Sequence, residues 1–261
     1  MRSPEGYPGE DIDVLYDAIN TGNKLNRKKN DALIRDSILA KNMDRKTGDY
    51  NDFWATRDYL NAIDNMHAAM LMAHGFNDWN VMSEQSYRFY KAAKDKGLPV
   101  QLYYHQDGHG GDPSITIMNR WFTRYLHGVE NGVENDAPVN IVREHEESAT
   151  PYTSFPDKSS TYVDFYALPL QDNTGNLVMQ RQQTGRIDTI IDNYKIASDE
   201  ITNFKNSEHR LLFVTPILEE DMRISGIPEI ELKIAADRPA VNLSVMMIIL
   251  PTVEGKHVPE Y

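Results

Sequence analysis

The sequence predicts an α/β region built on a parallel sheet, followed by an all-β sandwich. Three observations predict it. Between residues 67 and 127, two apolar runs alternate with two helical patterns, the order that a right-handed parallel crossover requires. After about residue 138 the helical periodicity gives way to short apolar–polar alternations between turn signals, as in Ile230, Leu232 and Ile234. Between the two lies Glu130-Asn-Gly-Val-Glu-Asn-Asp136, a polar, linker-like stretch. The 261 residues, 40% of them hydrophobic, allow one large or two ordinary domains, each with a real core.

Residues 1–10, rich in Gly and Pro, read as loop. Residues 11–45 read as helical, with Ile12, Leu15 and Ile19 on one stripe and Leu33, Ile34 and Ile38 on another. The polar, basic stretch from Asn20 to Asn30 reads as a turn between them. Thr47-Gly48-Asp49 marks a turn, and residues 53–61 an aromatic-rich helix. Phe53, Trp54, Tyr59 and Trp79 fit either ordinary core positions or the lining of an apolar substrate pocket.

Residues 67–74 suit a strand buried on both faces. Asn80 can cap a helix running to Lys96, with Met82, Ser86, Phe89 and Ala93 inward and Gly97 ending it. Pro99 sits where a strand tolerates a missing N–H, and Val100, Leu102 and Tyr104 share one face of that strand. Asp112-Pro113 starts the next helix, whose Ile117, Trp121 and Tyr125 pack inward. The sandwich strands are expected at 139–143, 162–167, 177–180, 211–215, 229–235 and 241–249. Residues 254–261 follow an apolar strand with no closing element, so the sandwich reads as truncated, with an open edge.

The formal charge of −12 argues against nucleic acid and against membranes as partners. Without cysteine there is neither a disulfide framework nor a thiolate metal site, which fits a reducing, cytoplasmic setting. No run of about 18 apolar residues appears, and the N-terminus lacks the apolar core of a signal peptide.

Chemistry concentrates at two strand ends. Asp78 lies three residues past Gly75, where catalytic groups of open α/β sheets gather. A carboxylate there can orient an imidazole and stabilise its protonated form; it can equally cap the following helix. His109 follows the next strand inside Gly108-His109-Gly110-Gly111, and glycines leave room for a substrate. Imidazole is the side chain that exchanges a proton near neutral pH. His105 is a rival base at the strand end; His74 reads as a packed strand-end residue, and His67 and His127 as structural. His105-x-x-x-His109 has zinc-helix spacing, but the glycines oppose a helix and no H-E-x-x-H occurs. No metal and no cofactor is expected. Strand-end Asp then strand-end His is the order of acid and base in an α/β-hydrolase sheet. No Gly-x-Ser-x-Gly occurs in the chain, so acid and base stand without their nucleophile.

These residues resemble a known family. Asn51-Asp-Phe-Trp-x-x-Arg57-Asp-Tyr59, His74-Gly-Phe-Asn-Asp78-Trp-Asn-Val81, His105-Gln-x-x-His109-Gly, Leu211-Leu-Phe-Val-Thr-Pro-Ile-Leu and Ile224-Ser-Gly-x-Pro-Glu-Ile-Glu-Leu occur in the order seen in Xaa-Pro dipeptidyl-peptidases of lactic acid bacteria and streptococci. These are serine hydrolases of the clan that includes bacterial cocaine esterase. The resemblance implies a helical cap segment over 1–62, the C-terminal part of an α/β-hydrolase domain over 63–130, and a truncated jelly-roll over 138–261. It implies Asp78 as catalytic acid, His109 as catalytic base, and a peptide substrate with proline at its second position. The nucleophilic Ser and oxyanion donors are expected upstream, the whole protein is expected to be a homodimer, and the 261 residues alone are expected to be inactive. An ester or β-lactam acylase of the same clan, or a non-catalytic jelly-roll binding module, are the alternatives.

Overall fold

A computed structural model of the protein describes residues 12–20, 25–44, 47–78, 81–193, 195–196, 200–201, 206–238, 241 and 243–248. The expected loop over 1–10, the Asn80 cap, Trp79 of the aromatic set, the side chains of Ile12 and Leu15, and the closing residues 254–261 lie outside that description. In chain order, helices α1 (Ile12–Asn20), α2 (Arg27–Asn30), α3 (Ala40–Asn42) and α4 (Asp52–Ala55) precede strand β1 (Met70–Gly75). Helix α5 (Glu84–Asp95), β2 (Val100–His105), α6 (Ile115–His127), β3 (Val139–Val142) and β4 (Ala149–Tyr152) follow, then β5 (Tyr166–Pro169), β6 (Thr174–Val178) and β7 (Leu212–Val214). Two compact units result: 52–161 with 223–233, and the N-terminal helices with 162–222 and the residues from 234 onward. Among the described residues no helix is long and apolar enough to cross a membrane.

The first unit carries the α/β pattern. Its sheet runs β1-β2-β3-β4, with β1, β2 and β3 parallel and β4 antiparallel to β3. Leu102 and Tyr104 of β2 point to one side and meet Tyr90 of α5, Val139 of β3 and Phe155, forming the buried core. Burial of these large side chains, each contributing roughly 1.5–3 kcal/mol, is what holds β2 at the centre. Helix α5 ends as expected at Gly97, with Leu98 N–H donating to the Ala93 carbonyl at 3.0 Å and Gly97 N–H to Lys94 at 2.9 Å. Its inward face differs from expectation: Ser86, Tyr90 and Ala93 are buried, while Met82 precedes the helix and is exposed. One position along a helix is a turn of about 100°, so Tyr90 rather than Phe89 enters the core. The Tyr104 hydroxyl donates to the Ser83 carbonyl at 2.9 Å, and burial pushes this phenol well above its ordinary pKa, so it stays protonated.

Three further expectations change. Helix α6 is capped by Ser114, whose Oγ accepts from Ile117 N–H at 3.4 Å; the helix begins too late for Asp112 to do so. The polar stretch before β3 is no loose linker: Arg120 grips Asp136 at 2.8 and 2.9 Å, Arg124 pairs with Glu134, and Val133 is buried. The run at 139–143, expected to open the sandwich, instead lies parallel to β2, with Leu102 opposite Val139. Val139 joins the Leu102 and Tyr104 core and Ile141 packs against it, whereas a four-residue alternation carries no mark of which sheet it will join. Strand β1, expected to be covered on both faces, is half-buried up to Gly75 because it is the edge of this sheet.

In the second unit, Arg27 bridges Asp17 and Asp31, and the Tyr16 hydroxyl donates to Asp31 at 3.0 Å. Leu33, Ile34 and Ile38, expected on one buried stripe, are exposed. Residues Asp31–Leu39 are π-helical, and the wider register rotates a 3.6-residue stripe out of line. Strand β5 pairs antiparallel with β6, and β6 parallel with β7. These match the expected strands at 162–167, 177–180 and 211–215 within a few residues. The expected strands at 229–235, most of which belongs to the first unit, and at 241–249 form no ladder among the described residues, and Ile230, Leu232 and Ile234 are exposed. The order is therefore α/β followed by a β-rich region.

Candidate active site

The parallel pairing of β1 and β2 builds the site. Met70 lies opposite Val100 and Gly75 opposite His105, so both strands end at the same level. The chain leaving each strand emerges at the carboxyl edge of the sheet, where open α/β folds place their chemistry. The two exit loops are then stitched together. Phe76 N–H donates to the His105 carbonyl at 2.8 Å, Asn77 N–H to the Asp107 carbonyl at 3.3 Å, and Asn77 Nδ2 to the Gln106 carbonyl at 2.5 Å. Gly75 is required at the closest approach: a Cβ there would stand 2.1 Å from the Asp107 carbonyl oxygen.

This seam brings together Asp78 and His109, 31 residues apart in sequence, with His109 Nδ1 and Asp78 Oδ2 at 2.9 Å. A carboxylate only accepts, so Nδ1 is the protonated ring nitrogen and Nε2 is left to accept a proton. Asp78 is 5% exposed, while the His109 side chain is 68% exposed, so a buried anchor holds an accessible imidazole. Asp78 does not cap the following helix, which begins at Glu84 with Ser83 at its N-cap; its Oδ1 accepts instead from Val81 N–H at 3.0 Å, in the loop before that helix. One oxygen thus meets the loop backbone and the other the imidazole.

His105, the rival base, is turned elsewhere. Its Nδ1 accepts from Asp107 N–H at 3.2 Å, and its buried Nε2 has no hydrogen-bond partner among the described residues. Gly111 lies over the ring, and with φ +100° a Cβ there would fall 2.5 Å from His105 Cε1. His74, expected to be a packed strand-end residue, has a half-hidden role: its Nε2 lies 3.2 Å from Asp78 Oδ2. Sequence reading passed over it because a histidine before the strand-end glycine looks like filler; its four-residue spacing from Asp78 was the available signal. Of the aromatic set, Phe53 and Trp54 meet edge to face at 5.0 Å, Tyr59 is exposed, and Trp79 lies outside the described residues. Among the described residues no cluster of His, Asp and Glu could hold a metal ion.

The comparisons with known proteins place this geometry in context. A family model described as X-Pro dipeptidyl-peptidase (S15 family) matches residues 1–111, and one described as the X-Pro dipeptidyl-peptidase C-terminal non-catalytic domain matches 131–256. A Rhodopirellula baltica protein provisionally named as an Xaa-Pro dipeptidyl-peptidase is 47% identical over 254 residues, covering 96% of this chain and 41% of its own length. The Xaa-Pro dipeptidyl-peptidase of Lacticaseibacillus rhamnosus is 31% identical, covering 95% of this chain and 33% of its own length. That of Ligilactobacillus salivarius is 28% identical, covering 94% and 33%. The chain thus spans between about a third and two fifths of the length of these relatives. The crystal structure of an aminopeptidase from the marine sediment archaeon Thaumarchaeota archaeon overlays 64% of this chain and 30% of its own, with 16% identity and a TM-score of 0.44, too distant to carry an argument. Matched in order by two models of one family, over residues 1–111 and 131–256, the chain belongs to the X-Pro dipeptidyl-peptidase (S15) family.

Proposed function

We propose that this chain is the acid-and-base-bearing segment of a serine exopeptidase that removes N-terminal Xaa-Pro dipeptides, with Asp78 as the orienting acid and His109 as the general base. The observation that carries the reading is the 2.9 Å bond between His109 Nδ1 and the buried Asp78 carboxylate at the carboxyl edge of a parallel sheet. In this mechanism His109 Nε2 takes the proton of a serine hydroxyl supplied outside these residues, and the serine oxygen attacks the carbonyl carbon of the proline. His109 then gives that proton to the departing amine, the C–N bond breaks, and an acyl-enzyme remains. Water, deprotonated by the same nitrogen, releases the dipeptide. Asp78 keeps Nδ1 protonated and stabilises the imidazolium formed at each transfer.

On this reading residues 1–62 form a cap, the hydrolase part spans 63–130 with β3 and β4 extending its sheet, and the later β-rich residues within 138–261 belong to a jelly-roll. A cytoplasmic homodimer acting on proline-containing peptides, away from nucleic acid and membranes, is the accompanying expectation. The test is the full-length protein carrying this chain, assayed on Gly-Pro-p-nitroanilide. Asp78→Asn is expected to lower kcat by about 10⁴-fold, and the 261 residues alone are expected to give no turnover. Undiminished activity in Asp78→Asn, or preference for an ester over the Xaa-Pro amide, would overturn the reading.

A further inference from the structure

The Asp78 carboxylate faces two imidazoles, and only His109 lies in the proposed proton path. The other, His74, ends β1 with its side chain 10% exposed. Its Nε2 stands 3.2 Å from Asp78 Oδ2 and 2.8 Å from the Val81 carbonyl. Both are acceptors, so Nε2 carries the hydrogen, and in the neutral ring Nδ1 accepts. Nδ1 takes the hydroxyl hydrogen of Ser86, a buried residue in the first turn of α5. The His74 ring is thereby fixed at both nitrogens, with the helix behind it and the carboxylate in front.

The arrangement matters because His109 cannot orient itself. It is largely exposed and sits in a loop with Gly110 at φ +126° and Gly111 at φ +100°. A base in such a loop takes its alignment from the group it bonds, and that group is a carboxylate free to rotate unless its oxygens are held. Val81 N–H holds Oδ1 and His74 holds Oδ2. We propose that His74, braced by Ser86, is a positioning residue for acyl transfer, fixing Asp78 Oδ2 where the His109 Nδ1–H meets it. The inference rests on the assignment of Asp78 and His109 as acid and base. In this role His74 passes no proton; it keeps the carboxylate from turning, as outer-shell partners of reacting groups do.

The experiment is steady-state kinetics of the full-length protein on Gly-Pro-p-nitroanilide with His74→Phe, His74→Gln and Ser86→Ala, the first also in an Asp78→Asn background. His74→Phe is expected to lower kcat by about 10- to 100-fold, leaving KM within about twofold. His74→Gln, whose amide N–H can reach the same acceptors, is expected to restore most of the loss. In the Asp78→Asn background His74→Phe is expected to add nothing, because the group it positions is no longer a carboxylate. Unchanged kcat in His74→Phe, an equal loss in both backgrounds, or a Gln variant as poor as Phe would each overturn the proposal. Should His74→Phe fail to fold, Ser86→Ala decides: a fall of about two- to tenfold in kcat supports the brace and an unchanged kcat rejects it. If Asp78→Asn itself keeps full activity, the acid–base assignment is what has failed; if it is crippled while His74 is silent, only the positioning role has.

Discussion

The two sheets of this molecule differ most in their central strands. In the first, β2 is buried along nearly its whole length, and Tyr90, Leu102, Tyr104, Val139 and Phe155 close a core around it. In the second, β5, β6 and β7 are half-buried, and Leu170, Ile217 and Leu218 of the same unit stand exposed. The difference lies in where each sheet finds its cover. Two parallel strands are joined by a crossover helix, so the cover comes within a short stretch of chain, as α5 between β1 and β2 supplies Tyr90 to the core. A sandwich strand must find a second sheet assembled from distant segments, and its alternation states a need for cover without supplying it. The Asp78–His109 pair accordingly sits at the carboxyl edge of the first sheet.

The largest effect is expected where the first sheet sets the site. Gly75→Ala places a Cβ 2.1 Å from the Asp107 carbonyl oxygen and 2.5 Å from that of Gly108, so the exit loops must part. Displacing the Asp78–His109 pair by about 1 Å costs on the order of 100-fold in kcat; full activity on Gly-Pro-p-nitroanilide would show that the seam is not what aligns them. Next, Leu102→Ala removes a fully buried side chain, and urea unfolding should register a loss of about 2–5 kcal/mol. Smallest of all, Ile217→Ser alters an exposed side chain of the second unit and should change stability by no more than about 0.5 kcal/mol. A loss as large as that of Leu102→Ala would mean that the second region is covered as thoroughly as the first.

Much of the first unit was legible because its signals are local. The Gly97 stop, the Val100, Leu102 and Tyr104 face, and the strand-end positions of Asp78 and His109 all follow from patterns within a dozen residues. What was missed depends on which partner a residue meets. Asp112 and Ser114 both look like caps, and the start of the helix chose Ser114. Residues 130–138 read as linker because the arginines of α6 that brace them belong to another element. The stripe of Leu33, Ile34 and Ile38 failed because the π-register is not a property of any single residue.

Composition and spacing were enough to establish an α/β-then-β order, the absence of cysteine chemistry, and an aspartate and a histidine at successive strand ends. They could not say that both side chains share one carboxylate oxygen's surroundings, that β3 completes the first sheet, or that His74 and not His105 turns toward Asp78. Periodicity encodes which face of an element is apolar, since that depends on residues a few positions apart. Register between strands, the turning of a loop and the choice between two imidazoles depend on distances through space, which exist only once the chain has closed on itself.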